Sequence, residues 1–205
     1  MKKTLHQFIE DVSMITISDD RKADFSPLIN FILKKRKENL PIQLNFICTH
    51  NSRRSQLSQL WANVMAAYHN IKIATYSGGV EITACNERVI NALTTQGFHI
   101  HKSSTGDNPL YLIGWGEASF GEYFSKLFDH VTNPKENFAA IMTCAHADEN
   151  CPFISGAEQR IAMRYEDPKR FDGTENEASA YLDKSMEIAT EMYHIFSVIK
   201  EKTTL

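Results

Sequence analysis

Cys48-Thr49-His50-Asn51-Ser52-Arg53-Arg54-Ser55 gathers a thiol, two guanidinium groups and three hydroxyls into eight consecutive residues. The chemistry open to such a string is attack by a thiolate on an anion. A short loop that runs into a helix turns several backbone N–H groups toward one point, and the helix start adds partial positive charge. That cradle suits a tetrahedral oxyanion, and the same field favours the thiolate of a cysteine placed at its head. Arg54 can grip two oxygens with its planar fork, as Lys could not. Ser55 can donate a hydrogen bond to the thiolate. Asn51 can take the left-handed conformation a tight loop demands while its amide pins the loop. Thr49, His50, Ser52 and Arg53 complete the candidate oxyanion-binding set. A cysteine followed six residues later by an arginine is weak on its own, and a lone cysteine at a strand end is as readily a packing residue. The functional reading rests on the whole string in its context.

Two further groups could serve such a site. Cys144 and Cys151 frame Cys144-Ala145-His146-Ala147-Asp148-Glu149-Asn150-Cys151-Pro152. Three chemistries fit them: inert packing thiols, a zinc site completed by His146 and a carboxylate, or a redox pair on a movable segment. The zinc spacing is unusual and a fourth ligand is not evident. Asp167-Pro168 sits in a polar stretch. Displacement at phosphorus or arsenic needs a proton for the departing oxygen, which Asp167 could give, although Asp-Pro is also a common turn pair. Cys85 reads as packing, and the eight His show no two-His metal spacing, so no metal is expected.

These residues need elements to hold them. Residues 43–47 form a short apolar strand candidate immediately before Cys48. Residues 55–68 follow as a helix with Leu57, Leu60, Trp61, Val64 and Met65 on one side. A second strand is expected at 71–76, a helix at 86–96 and a loop rich in Gly, Ser and aromatics at 103–121. Tyr111, Trp115, Phe120 and Tyr123 could give that stretch an aromatic wall, though such residues are more often core. Strands are expected at 126–131 and 138–143, irregular chain at 155–173, and a long amphipathic helix at 174–200, opened by Thr174 and Glu177 as a capping box. Alternation of strands and helices implies a parallel α/β sheet. Sites in such sheets form at the carboxyl ends of the strands, which puts Cys48 and Cys144 on the same edge.

The chain of 205 residues fits one domain with an extension: a helical segment 1–41 and a catalytic domain 42–205. Its formal charge of −3 gives no basic field for nucleic acid, and Lys34-Lys35-Arg36-Lys37 suits a helix C-terminus. No run approaches the roughly 18 apolar residues of a membrane span, and no secretory h-region follows the first lysines. A cytoplasmic protein with reduced thiols, no nucleic-acid partner and no membrane partner is expected.

Cys48-Thr49-x-Asn51-Ser52-x-Arg54-Ser55-Gln56 resembles the phosphate loop of the low-molecular-weight protein tyrosine phosphatase superfamily, and looks closest to its thioredoxin-coupled arsenate reductase branch. The resemblance continues through Tyr76-Ser77-Gly78-Gly79, Asn86, Cys144, Cys151-Pro152, Asp167-Pro168 and Gly173-Thr174, covering 42–200. It implies a four-stranded parallel sheet flanked by helices, an arsenate or phosphate substrate, no bound cofactor, and thioredoxin as electron donor. It also implies a mechanism. Cys48 attacks arsenate while Asp167 protonates the departing oxygen; Cys144 attacks the Cys48 sulfur and releases arsenite. Cys151 then moves the disulfide to Cys144–Cys151, where thioredoxin reduces it. The alternative within the superfamily is a phosphatase of protein phosphotyrosine or a small phosphoester, working through a Cys48 phosphocysteine with Asp167 as acid, the outer thiols then guarding Cys48 against overoxidation.

Three positions depart from the family pattern. Arg53 stands where many arsenate reductases carry a second loop cysteine. Gln59 stands where some members offer a carboxylate to a monovalent cation. Lys169-Arg170 stands where the tyrosine phosphatases carry aromatics, which argues against phosphotyrosine.

Overall fold

A computed structural model describes residues 4–116, 119–150 and 153–204. Its centre is a four-stranded parallel sheet in the order β2-β1-β6-β7, formed by β1 (Gln43–Cys48), β2 (Ala74–Gly79), β6 (Phe138–Met142) and β7 (Ala157–Ala162). This is the sheet the resemblance implied. β1 is buried on both faces after Gln43, so from Leu44 to Cys48 its sequence is an apolar run broken only by Asn45. Leu44 and Phe46 face one core, with Leu57, Trp61, Ile188 and Phe196. Ile47 faces the other, with Phe138, Ala140, Met142 and Ile154. The chain leaves β1 for β2 on one side and returns to β6 on the other. The crevice at such a switch in strand order lies outside the carboxyl end of β1, which is where Cys48 stands.

Helix α4 (Arg54–Tyr68) opens directly from the loop after β1, and α7 (Glu177–Thr204) packs against it. Trp61 on α4 is fully buried; its Nε1 donates to Ser185 Oγ (2.9 Å), which donates to Gln96 Oε1 (2.7 Å). Helix α5 (Glu87–Thr95) is capped by the Asn86 side chain. The short helix α6 (Ala145–Asn150) follows β6. Before the sheet come α1 (Leu5–Ser13), α2 (Asp19–Asp24) and α3 (Ser26–Lys37). Phe8, Ile9, Val12, Phe25, Leu28 and Ile32 belong to the same core as α4 and α7, and the Phe8 ring stacks on Trp61 at 5.2 Å. No helix is long and apolar enough to cross a membrane among the described residues.

Three stretches differ from the sequence reading. Residues 103–121 are not one long loop: β3 (His99–Lys102), β4 (Tyr111–Gly114) and β5 (Phe120–Tyr123) make a separate antiparallel sheet. Their four-residue lengths and interspersed Gly and Ser hide the alternation. Residues 126–131 form no strand; Leu127 makes a single bridge to Gly79, and the Lys126 N–H is used by Asn51 instead of a ladder. Residues 155–173 contain the fourth strand, β7, an edge strand whose Glu158 and Arg160 mask its apolar signal. The expected capping box is also replaced: Glu177 accepts from the Gly173 N–H (2.6 Å), and Thr174 donates to the Phe171 carbonyl (2.7 Å).

Candidate active site

The carbonyls of the loop after β1 all have partners outside its concave side. Cys48 O accepts from Val80 N (3.2 Å), Thr49 O from Glu81 N (2.8 Å) and Ser52 O from Asn86 N (3.0 Å). His50 O accepts from Ser125 Oγ (2.8 Å), and Asn51 O from Gln56 Nε2 (2.9 Å). In a planar trans peptide the next N–H points opposite to its carbonyl, so a run of carbonyls tied outward turns a run of N–H groups inward. Asn51 adopts φ 47°, the left-handed conformation that closes the turn.

A directed chain of hydrogen bonds ends on the nucleophile. The Lys126 N–H donates to Asn51 Oδ1 (3.0 Å), which fixes the amide so that Nδ2 donates to Ser55 Oγ (2.8 Å). With its oxygen occupied, the Ser55 hydroxyl is free to donate to Cys48 Sγ, 3.1 Å away. Cys48 itself is buried.

Gly79, the last residue of β2, has no room for a side chain. A Cβ there would lie 2.5 Å from Glu81 O, 2.7 Å from Asn51 N and 2.9 Å from the His50 carbonyl carbon, all backbone atoms. Gly79→Ala must therefore displace the loop. The expected outcome is a loss of ~1–3 kcal/mol in stability and ~100-fold in turnover, read from the melting curve and from kcat/KM.

Arg54 and Arg53 face the segment that follows β7. Arg54 Nη1 donates to Tyr165 O (3.1 Å) and Nη2 to Asp167 Oδ2 (2.7 Å). Its Nε is buried without a partner. Arg53 turns to the same carboxylate, with Nε 2.8 Å from Oδ1 and Nη2 3.3 Å from Oδ2. Asp167 also caps the 3₁₀ turn Pro168–Phe171 by accepting from Lys169 N (3.0 Å). Burial pushes the Asp167 carboxyl up, but the Arg53 hydrogen bonds and the Arg54 charge outweigh it and hold it below the usual carboxylate range.

Cys144 stands two residues beyond the end of β6, on the same sheet edge as Cys48, as parallel pairing of Ile47 with Met142 requires. It is buried, accepts from the Ala147 N–H (3.4 Å) at the start of α6, and lies 3.5 Å from Thr49 Oγ1. The same hydroxyl is 3.3 Å from His146 Nδ1. Asp148 on α6 is held by Arg164, Nε to Oδ2 at 2.7 Å, and by Arg160. Cys151 and Pro152 lie outside the described residues. His50 reaches outward to Glu81, 3.3 Å away. Burial pushes the Cys85 thiol up to about 12, with Lys126 opposing. No group of three His, Cys, Asp or Glu could hold a metal ion among the described residues.

A cavity of about 620 Å³ opens beside the loop, between His50, Ser52 and Arg53 on one side and Arg88, Lys102 and Tyr111 on the other. Its far wall combines Arg88 of α5 with Lys102 of β3 and Tyr111 of β4, and β4 lies where the sequence predicts only a loop. The alternation of Tyr111 and Ile113, both buried, was the available signal.

No family model matches the chain. In sequence it is similar to an arsenate reductase of Bacillus subtilis strain 168, 26% identical over 140 residues, covering 68% of this chain and 83% of that protein. It is also similar to an arsenate reductase of Halalkalibacterium halodurans, 25% identical over 132 residues, covering 64% and 78%. Among solved structures it matches a low-molecular-weight phosphotyrosine phosphatase of Vibrio cholerae O395 with a TM-score of 0.52 at 10% identity, covering 80% of this chain and 99% of that one. A low-molecular-weight protein tyrosine phosphatase of T. tengcongensis matches at 0.50 and 13% identity.

Proposed function

We propose that this chain, which has the fold of the low-molecular-weight phosphatases and resembles arsenate reductases in sequence, reduces arsenate to arsenite with electrons from thioredoxin. The observation that carries the reading is the second thiol. Cys144 is buried at the same sheet edge as Cys48, its sulfur 3.5 Å from the hydroxyl of Thr49, the residue after the nucleophile. Hydrolysis of a phosphoester needs no second thiol, whereas arsenate reduction needs two electrons, which a dithiol supplies on becoming a disulfide.

In this proposal arsenate enters the loop and competes with Asp167 for Arg54. An added negative charge beside the carboxylate raises its proton affinity, so Asp167 takes a proton from solvent as the anion binds. Cys48 attacks arsenic, and the departing oxygen leaves with the Asp167 proton. The Cys144 thiolate then attacks Cys48 Sγ. The sulfur–arsenic electron pair stays on arsenic, arsenite departs, and the two sulfurs form a disulfide. Cys151 attacks Cys144, frees Cys48 and carries the disulfide outward to thioredoxin. Thr49, His50, Asn51 and Ser52 supply the loop backbone, Arg54 the fork, and Ser55 the hydrogen bond to the sulfur.

The cavity favours a second reading. Its volume of about 620 Å³ is that of a drug-sized ligand site and exceeds what an inorganic oxyanion needs beyond the loop. A phosphomonoester would place its leaving group there. The test is NADPH oxidation by thioredoxin reductase and thioredoxin with arsenate, beside phosphate release from aryl and alkyl phosphates. Arsenate-dependent NADPH oxidation supports the reductase; ester hydrolysis with no arsenate turnover replaces it with the phosphatase.

A further inference from the structure

The segment 163–167 is a strap between β7 and the 3₁₀ turn. Met163 N and Tyr165 N donate to the Met142 and Thr143 carbonyls (2.9 and 3.1 Å), which holds the strap along the end of β6. Successive carbonyls of an extended chain point to opposite sides. Here they are taken by two different arginines. Tyr165 O accepts from Arg54 Nη1 (3.1 Å) on the side of the oxyanion loop. Arg164 O accepts from Arg21 Nη2 (3.3 Å), which comes from α2 of the N-terminal segment. The Arg21 guanidinium also lies 5.2 Å from the centre of the buried Tyr165 ring. It is itself fixed by a forked pair to Glu191 on α7, Nε to Oε1 at 2.7 Å and Nη2 to Oε2 at 2.9 Å. Glu191 is buried.

We infer that Arg21 is a positioning residue for oxyanion binding: from outside the phosphatase-like part of the chain it sets the strap that fixes Arg54 and Asp167. The inference rests on the oxyanion reading of the loop. A buried pair loses badly when one charge is left alone, so the informative variant removes both, Arg21→Met with Glu191→Leu. Lys35 on α3 pairs with Glu158 on β7 at 2.5 Å and ties the same N-terminal segment to the sheet without touching the strap. Lys35→Met with Glu158→Leu is therefore the control for lost docking alone.

The readout is the arsenate concentration that half-protects Cys48 from iodoacetamide, followed by mass spectrometry of the Cys48 peptide, with melting temperature alongside. The Arg21/Glu191 variant should need ~10-fold more arsenate while still melting cooperatively, and the Lys35/Glu158 variant should match the unaltered protein. Arg21→Lys, which keeps a charge for Glu191 but has no planar fork, should fall between. Unchanged protection in a folded Arg21/Glu191 variant overturns the inference, as does an equal loss in both double variants. Failure of arsenate to protect the unaltered protein at all removes the oxyanion reading and this inference with it.

Discussion

Cys48→Ser is expected to abolish both arsenate reduction and phosphoester hydrolysis, by ~10⁴-fold or more, because no other group can form the first covalent bond. Cys144→Ser is expected to divide the two activities. Serine is nearly the size of cysteine, and its hydroxyl can take over the hydrogen bond from the Ala147 N–H that now goes to the Cys144 sulfur (3.4 Å). The variant should therefore fold and keep its oxyanion loop. Arsenate turnover should fall by ~10⁴-fold, since the thiol held at the Cys48 edge of the sheet is gone. Hydrolysis of an aryl phosphate, if the protein has it, should change by no more than a few-fold. Coupled NADPH oxidation and phosphate release measure the two. Full arsenate turnover in Cys144→Ser would remove the relay, and equal loss of both activities would make Cys144 a structural residue. Cys151→Ser extends the series: it should accumulate a Cys48–Cys144 disulfide, detected as a cross-linked peptide pair after one turnover.

Legibility from sequence followed the range of the interactions. Residues 48–55 were readable because a strand, a loop and a helix start are contiguous, and Asn51 at φ 47° has the conformation its side chain allows. The shared edge of Cys48 and Cys144 was readable because parallel pairing carries every strand to the same side. Arg53 was grouped with the oxyanion donors, whereas its guanidinium points to Asp167, a contact across 114 residues that local spacing does not encode. The strand at Ala157–Ala162 was missed because an edge strand carries charge where a central one carries aliphatics. The 126–131 stretch was mistaken for a strand because its apolar residues signal burial, while its backbone serves Asn51 and Gly79. The Arg21–Glu191 pair spans 170 residues and had no sequence signal at all.

Asp167→Asn is expected to bind oxyanion more tightly and to turn it over more slowly. In the resting site the carboxylate occupies Nη2 of Arg54, at 2.7 Å, a donor that an incoming anion needs. An amide pairs less strongly with both guanidinium groups and carries no charge to repel arsenate. Less arsenate should then half-protect Cys48 from alkylation. Turnover should fall by ~10²–10⁴-fold, the usual share of a general acid. The same ion pairs give the folded state a pH signature. Burial raises the Asp167 carboxyl but the arginines depress it further, so its pairing stabilises the fold above the ordinary aspartate range and is lost as pH falls through the depressed value. The unaltered protein should exceed Asp167→Asn in melting temperature at neutral pH, and the two should converge in strong acid. A variant that keeps full turnover would show that the departing oxygen takes its proton from another group. A variant that binds arsenate no better would show that the resting Asp167 pairs do not compete with the substrate, leaving the strap to act on Arg54 alone.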